Sequence, residues 1–166
     1  MSRYRFLILY IALMMVQVVL NVFFDLSGVV TLSLLPVLVL LLPVSFGRVA
    51  LMLIAFATGF VVDFFSTGLL GLSSVALVPV ALLRRETASL VFGRELFIRG
   101  DEISYKRFGV MKTALAALLS NLVFFAVFVP FDNAGIDGFW RCLLRVVLSA
   151  LASTVAAVFA VRLKER

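Results

Sequence analysis

Long apolar segments alternate with short polar ones along almost the whole chain. The apolar segments are residues 6–24, 29–46, 49–62, 69–83, 108–131 and 142–161. A helix needs about 20 apolar residues, within a range of about 17–25, to cross the hydrocarbon core of a bilayer. Four of the segments meet this length. The pattern therefore predicts an all-α integral membrane protein, with six transmembrane helices in a single domain over 1–166.

The third and fourth segments, 49–62 and 69–83, are shorter than a typical span. Two interpretations remain open for them. They form a bent pair that crosses the bilayer with help from the flanking residues, or they form a re-entrant hairpin. The two segments are adjacent, so either interpretation leaves the other helices on the same sides of the membrane.

Basic residues indicate the orientation. If the N-terminus is cytoplasmic and six helices span, all but Arg141 and Arg145 of the 15 Lys and Arg residues lie on the inner side. A cytoplasmic excess of Lys and Arg is the usual orientation signal. It predicts that both termini are inside. The first apolar segment is too long for a signal peptide, so we expect a retained helix.

Composition supports the membrane class and limits the chemistry. Hydrophobic residues make up 64% of the 166 residues, against about 45–50% in soluble domains. The chain has one Cys and no His, which excludes a disulfide framework and the usual zinc ligand sets. No Walker-type glycine loop is present. We therefore expect a protein that is not an enzyme and has no cofactor.

The stretch "LIAFATGFVVDFFSTGLLGLSS" carries one carboxylate, Asp63, in an apolar setting. In one interpretation it is an outer turn, in which Asp63 ends one helix, Ser66 or Thr67 caps the next, and Gly68 allows a tight turn. In the other it is a buried, shaped hairpin whose glycines allow close packing. The glycines of this hairpin are Gly59, Gly68 and Gly71.

Other polar residues fall inside the predicted spans. Gln17 and Asn21 are four apart and share one helix face, where they either form interhelical hydrogen bonds or meet a partner or ligand. Small and polar residues form one stripe on each of the last two helices, and we expect both stripes to serve helix packing. These residues are Thr113, Ala117 and Asn121 in the fifth helix, and Arg145, Ser149, Ser153, Ala156 and Ala160 in the sixth.

Arg145 lies about one turn inside the sixth predicted helix. It either extends to the outer interface or forms an ion pair with an outer-side acid. Among the outer-side aspartates we favour Asp63 as its partner. On the inner side, the basic loop 84–107 attracts anionic lipid, at about 1 kcal/mol per basic residue near the surface. Its interleaved acids argue against nucleic acid as a partner.

The segments "TLSLLPVLVLLLPVSFGR" and "ALMLIAFATGFVVDFFSTGLLGLSSVALVPVALLRR" resemble the rod-shape-determining protein MreD family. The resemblance rests on a G-x-x-x-D element, here Gly59 and Asp63, a short polar turn, and "GLLGLSS" with Gly68 and Gly71. It implies about six membrane helices, arranged like the S components of energy-coupling-factor vitamin transporters. It also implies a non-enzymatic scaffold of the wall-elongation machinery in the bacterial inner membrane. Its partners would be an MreC-like single-pass protein and, indirectly, the MreB filament and the wall-synthesis enzymes.

Two other functions compete with the scaffold. An S component would bind a vitamin through converging polar groups, and the candidates are Gln17, Asn21, Asp63, Asn121 and Arg145. S components usually carry an Ala-x-x-x-Ala pattern in helix one, where this chain has only Ala12. A small channel or lipid-handling protein is the third possibility, although the sequence shows no ring of pore-lining residues.

Overall fold

The structure is a computed structural model that describes residues 3–24, 31–43, 46–66, 69–93, 105–132 and 138–164. These residues form helices and no strands. The helices are α1 (Arg3–Phe24), α2 (Leu35–Leu41), α3 (Arg48–Phe65), α4 (Leu72–Phe92), α5 (Tyr105–Asp132) and α6 (Phe139–Lys164). In α5, Gly109 has a positive φ of 81° and separates the first residues from the rest.

Three of the described helices are long and apolar enough to cross a membrane. They are Arg48–Phe65 of α3, Gly109–Asp132 of α5 and Phe139–Val161 of α6. The all-helical class predicted from the apolar pattern is confirmed, and the three helices indicate a membrane protein.

Two antiparallel hairpins, α3–α4 and α5–α6, form most of the bundle, and α4 packs against α5. The short helix α2 lies between them and contacts α4 and α5. Its side chains join a core that includes Leu77, Phe124 and Phe125. Helix α1 packs on this core less extensively, and the hydroxyl of its Tyr10 lies 2.7 Å from that of Thr58 on α3.

The second apolar segment differs most from the prediction. We predicted a transmembrane helix over 29–46, but the helix within it has only seven residues, all of them buried. Pro36 occupies the first turn, where a missing N–H is tolerated. Leu42 leaves the helix with ψ 148° immediately before Pro43, because a following proline disfavours the helical conformation. At 1.5 Å per residue, α2 is about 10 Å long.

The third and fourth segments, by contrast, form longer helices than their apolar runs. Helix α3 continues past Asp63 to Phe65, and α4 continues past Arg84 and Arg85 to Phe92. They have 18 and 21 residues, and of the two only α3 is also apolar enough to cross a membrane.

Candidate functional site

Asp63 connects the two helices of the α3–α4 hairpin. Its side chain is only 5% exposed, and Oδ2 accepts a hydrogen bond of 2.9 Å from the backbone N–H of Ser73. Helix α4 begins after Gly71, which has φ 89° and no side chain to cap the helix. The carboxylate of Asp63 therefore acts as the missing cap from the neighbouring helix, where the free N–H groups and the helix dipole favour an anion.

Gly59 lies one turn before Asp63, on the same face of α3. A Cβ atom at this position would lie 2.6 Å from both Cα and N of Ser74, so the glycine allows the two backbones to touch. Ser74 Oγ also donates to the carbonyl of Phe56, at 3.1 Å. We call Phe56, Gly59, Asp63, Ser73 and Ser74 the hairpin clasp.

The clasp corrects the outer-turn interpretation. Asp63 does not end α3, and Ser66 follows the end of α3 without capping α4. The geometry instead agrees with the buried, shaped hairpin. Thr67 and Gly68, to which we gave roles in the turn, lie outside the described residues.

We expect Asp63→Ala to lower the stability of the protein by about 1–2 kcal/mol, the usual cost of removing a helix cap. Asp63→Asn should lose less, because an amide oxygen still accepts from Ser73 N–H. Thermal unfolding of the purified variants in detergent measures both effects. An Asp63→Ala protein as stable as the unchanged one would show that the carboxylate does not cap α4.

A second polar cluster surrounds residues 31–34, the partly buried stretch that precedes α2. Gln17 Oε1 accepts from the N–H of Leu34 at 2.5 Å, and its Nε2 donates to the carbonyl of Leu32 at 3.3 Å. Gln17 Nε2 also donates to Asn21 Oδ1, at 2.6 Å, and Asn21 Nδ2 donates to Ser66 Oγ, at 3.1 Å. This face of α1 is therefore directed into the bundle.

Helix α6 holds the same stretch from the other side. Ser149 Oγ accepts from the N–H of Thr31 at 3.0 Å, and Ser153 Oγ accepts from the N–H of Ser33 at 2.9 Å. Irregular backbone at membrane depth is tolerated only where its polar groups are satisfied inside the protein. We call Gln17, Ser149 and Ser153 the cradle of residues 31–34. We predicted that the α6 stripe serves helix packing, and both serines are buried, but their hydroxyls bind the backbone of this irregular stretch.

Arg145 corrects another prediction. Its Nη2 lies 2.8 Å from Asp132 Oδ2 and 3.4 Å from Thr31 Oγ1. The predicted pair with Asp63 is not formed, because Asp63 is engaged at the start of α4. Asp132 ends α5 and Arg145 is near the start of α6, so the α5–α6 hairpin places them side by side.

Asn121 connects α5 to α6. It is fully buried, and its Nδ2 donates to Thr154 Oγ1 at 3.1 Å. Its Oδ1 has no hydrogen-bond partner within the described part of the chain. Thr113 and Ala117 of the same stripe are also buried, which confirms the predicted packing role of the stripe.

Arg84 is a structural residue that the sequence reading missed. It is 5% exposed, and its Nη2 donates to the carbonyls of Leu40, at 3.1 Å, and Leu42. It thereby satisfies the last carbonyls of α2. The sequence carried only a weak signal, which is that small and apolar residues resume after the arginines, at Ala88 and 90–92. In the structure the buried face of α4 continues past position 83, through Leu77, Val80, Ala81, Arg84, Thr87 and Ala88.

The predicted site residues that the structure describes thus have distinct structural roles. Gly59, Asp63 and Gly71 shape the hairpin, and Gln17 and Asn21 act at the cradle. Asn121 and Arg145 join α5 to α6 through side chains. Among the described residues no group of three or more His, Cys, Asp or Glu side chains is placed to hold a metal. Comparison with family models, with curated proteins and with solved structures finds no match to this chain.

Proposed function

We propose that this chain is a multi-pass protein of the bacterial inner membrane and a non-enzymatic scaffold of the MreD type. It has six crossings with both termini inside, and it binds an MreC-like single-pass partner of the wall-elongation machinery through helix–helix contacts. Three bodies of evidence support the proposal: the sequence resemblance, the distribution of basic residues, and the engagement of the interior polar groups described below.

The second crossing is the one that needs explanation, because α2 is too short to span alone. Residues 31–42 begin beside Ser149 and Arg145, near the start of α6, and end at Arg84, towards the end of α4. On the predicted topology these are the outer and inner sides. The segment therefore supports a crossing made as a broken helix inside the bundle, with its polar backbone satisfied by neighbours.

The main support for the scaffold is that the interior polar side chains are hydrogen-bonded within this chain. An S component would direct Gln17, Asn21, Asp63, Asn121 and Arg145 towards a common ligand. Instead, each makes hydrogen bonds that hold this chain together, either at a backbone group or at a side chain of a neighbouring helix. This arrangement favours a rigid bundle that offers its outer surface to a partner.

The outward face of α3 is our choice for the partner's helix. The small-residue stripes of α5 and α6 are mostly buried in the bundle, so they are not available to a partner's helix. Helix α3 exposes large apolar side chains at helical spacing, as α1 and α6 also do, and on α3 the rings of Phe56 and Phe60 are stacked at 6.4 Å. The exposed residues are Val49, Leu53, Phe56, Phe60 and Phe64.

Copurification from the native membrane tests this function. We expect a single-pass protein with a periplasmic coiled coil in stoichiometric amounts after extraction in mild detergent, identified by mass spectrometry. A photo-crosslinking residue at Phe60 should capture that protein, whereas one at Leu151, equally apolar and exposed on α6, should not. Recovery of two ABC-type ATPases and a second polytopic protein would refute the scaffold and favour the S component.

A further inference from the structure

A cavity of about 210 Å³ opens between the start of α3 and the second half of α4. Its lining combines cationic and apolar side chains, among them Phe46, Arg48, Leu51, Leu82, Arg84 and Arg85. We propose that this cavity binds the phosphate group of an anionic phospholipid. The proposal rests on a membrane location for α3 but not on the scaffold function or its partner.

The charges of the lining favour an anion. Three arginines line the cavity. Arg48 has an ion pair with Glu86, 3.1 Å away, in which both side chains are at least half-exposed. Arg84 is buried, and its contacts in the described part of the chain are carbonyl oxygens rather than a carboxylate. A buried charge is costly unless an opposite charge compensates it. A phosphate beside Arg84 would provide that compensation.

The donor geometry also suits phosphate. Arginine presents five N–H donors in a planar fork that matches phosphate oxygens, and Arg84 uses only one nitrogen on the α2 carbonyls. Helix α3 begins at Arg48 with Gly47 as N-cap, without a side-chain cap and without an acidic residue in its first turn. Its first amides and its dipole add to the attraction for an anion at this end.

The rim of the cavity favours a lipid over a soluble phosphate. Phe46 and Leu82 are 42% and 45% exposed, and both are apolar and adjoin the arginines. The cavity lies at the start of α3, and α3 is long enough to span a bilayer, so the cavity falls near the level of the headgroups. An acyl chain can follow the apolar rim while the phosphate enters between the guanidinium groups.

Native mass spectrometry of the full chain in neutral detergent tests the proposal. Phosphatidylglycerol should remain bound in preference to phosphatidylcholine. Arg85→Gln and Arg48→Gln should each weaken that retention about fivefold, which corresponds to the attraction of one basic residue for an anionic surface. Arg48 and Arg85 are exposed residues of the lining, and the contacts with the Leu40 and Leu42 carbonyls are made by Arg84 itself, so these variants leave those contacts in place.

Lys112→Gln is the matched control, because it removes one positive charge from an exposed position of α5 outside the cavity. We expect it to retain phosphatidylglycerol like the unchanged protein. If Lys112→Gln and Arg85→Gln lost phosphatidylglycerol retention equally, the proposal would be overturned, because general electrostatic attraction would then account for the binding. Displacement of the lipid by inorganic phosphate alone would overturn the lipid as the occupant. Neither result depends on whether a protein partner copurifies.

Discussion

Gly59→Ala should destabilise the protein by about 2 kcal/mol, although alanine is the better helix former by about 1 kcal/mol. The added Cβ would lie 2.6 Å from two backbone atoms of Ser74. Backbone cannot rotate away as a side chain can, so α3 and α4 must separate. Overpacking of this kind costs about 1–3 kcal/mol and more where the neighbours are rigid. Thermal unfolding in detergent should show a clear decrease in the midpoint.

Gly138→Ala is the control for the same chemical change. A Cβ at Gly138 meets nothing within 4 Å, and the residue lies just before α6. The free energy of unfolding of Gly138→Ala should lie within about 1 kcal/mol of that of the unchanged protein, since the only expected cost is that alanine is less favourable than glycine at a helix start. If Gly59→Ala unfolded at the same temperature as Gly138→Ala, the close approach of α3 and α4 at Gly59 would not be needed for stability.

The hairpin clasp shows what local sequence can predict. A glycine and an aspartate four residues apart share one helix face, and an aspartate in an apolar run needs a polar partner. These two facts were sufficient to propose a shaped hairpin with Gly59 and Asp63 as members, but not to choose it over a simple outer turn. They were not sufficient to name Ser73 as the partner. That contact depends on how α4 begins, and the end of an apolar run does not fix the beginning of the next helix.

The second apolar segment shows where the pattern fails. A run that is apolar on every face predicts burial in either lipid or protein, and periodicity does not distinguish a long helix from a short helix with irregular flanks. Pro36 and Pro43 were visible in the sequence, but proline occurs within the helices of membrane proteins. The deciding groups, Gln17, Ser149 and Ser153, lie far away in the chain. Only tertiary structure brings them to residues 31–34.

Charged residues were misplaced for a similar reason. Arg84 follows the last apolar residue of its run, so the hydropathy pattern assigns it to a loop. In the structure α4 continues past Arg84, and the side chain contacts the carbonyls of Leu40 and Leu42. Arg145 was paired by depth in the membrane with Asp63. The α5–α6 hairpin instead gives Asp132, which is nearer in sequence. In both cases the partner depends on how the helices continue and pair, and the expected depth or side of the membrane did not predict it.

Gln17→Leu should destabilise the bundle by about 2 kcal/mol through the backbone of residues 31–34. Leucine is close to glutamine in size but leaves the N–H of Leu34 and the carbonyl of Leu32 without the side chain that now binds them. A buried polar group that loses its partner costs about 1–3 kcal/mol. Hydrogen exchange followed by mass spectrometry should show faster exchange in peptides that contain residues 31–36, together with a lower unfolding temperature.

Met15→Leu separates this effect from a general change in α1. Met15 is 64% exposed and lies two residues before Gln17. Leucine at this position changes an outward apolar side chain and leaves the hydrogen bonds to residues 31–34 in place. Its exchange pattern should match that of the unchanged protein, and peptides from α5 should exchange alike in both variants. Unaltered exchange at residues 31–36 in Gln17→Leu would show that Gln17 does not support this stretch. The two serines of α6 would then have to hold it without help from α1.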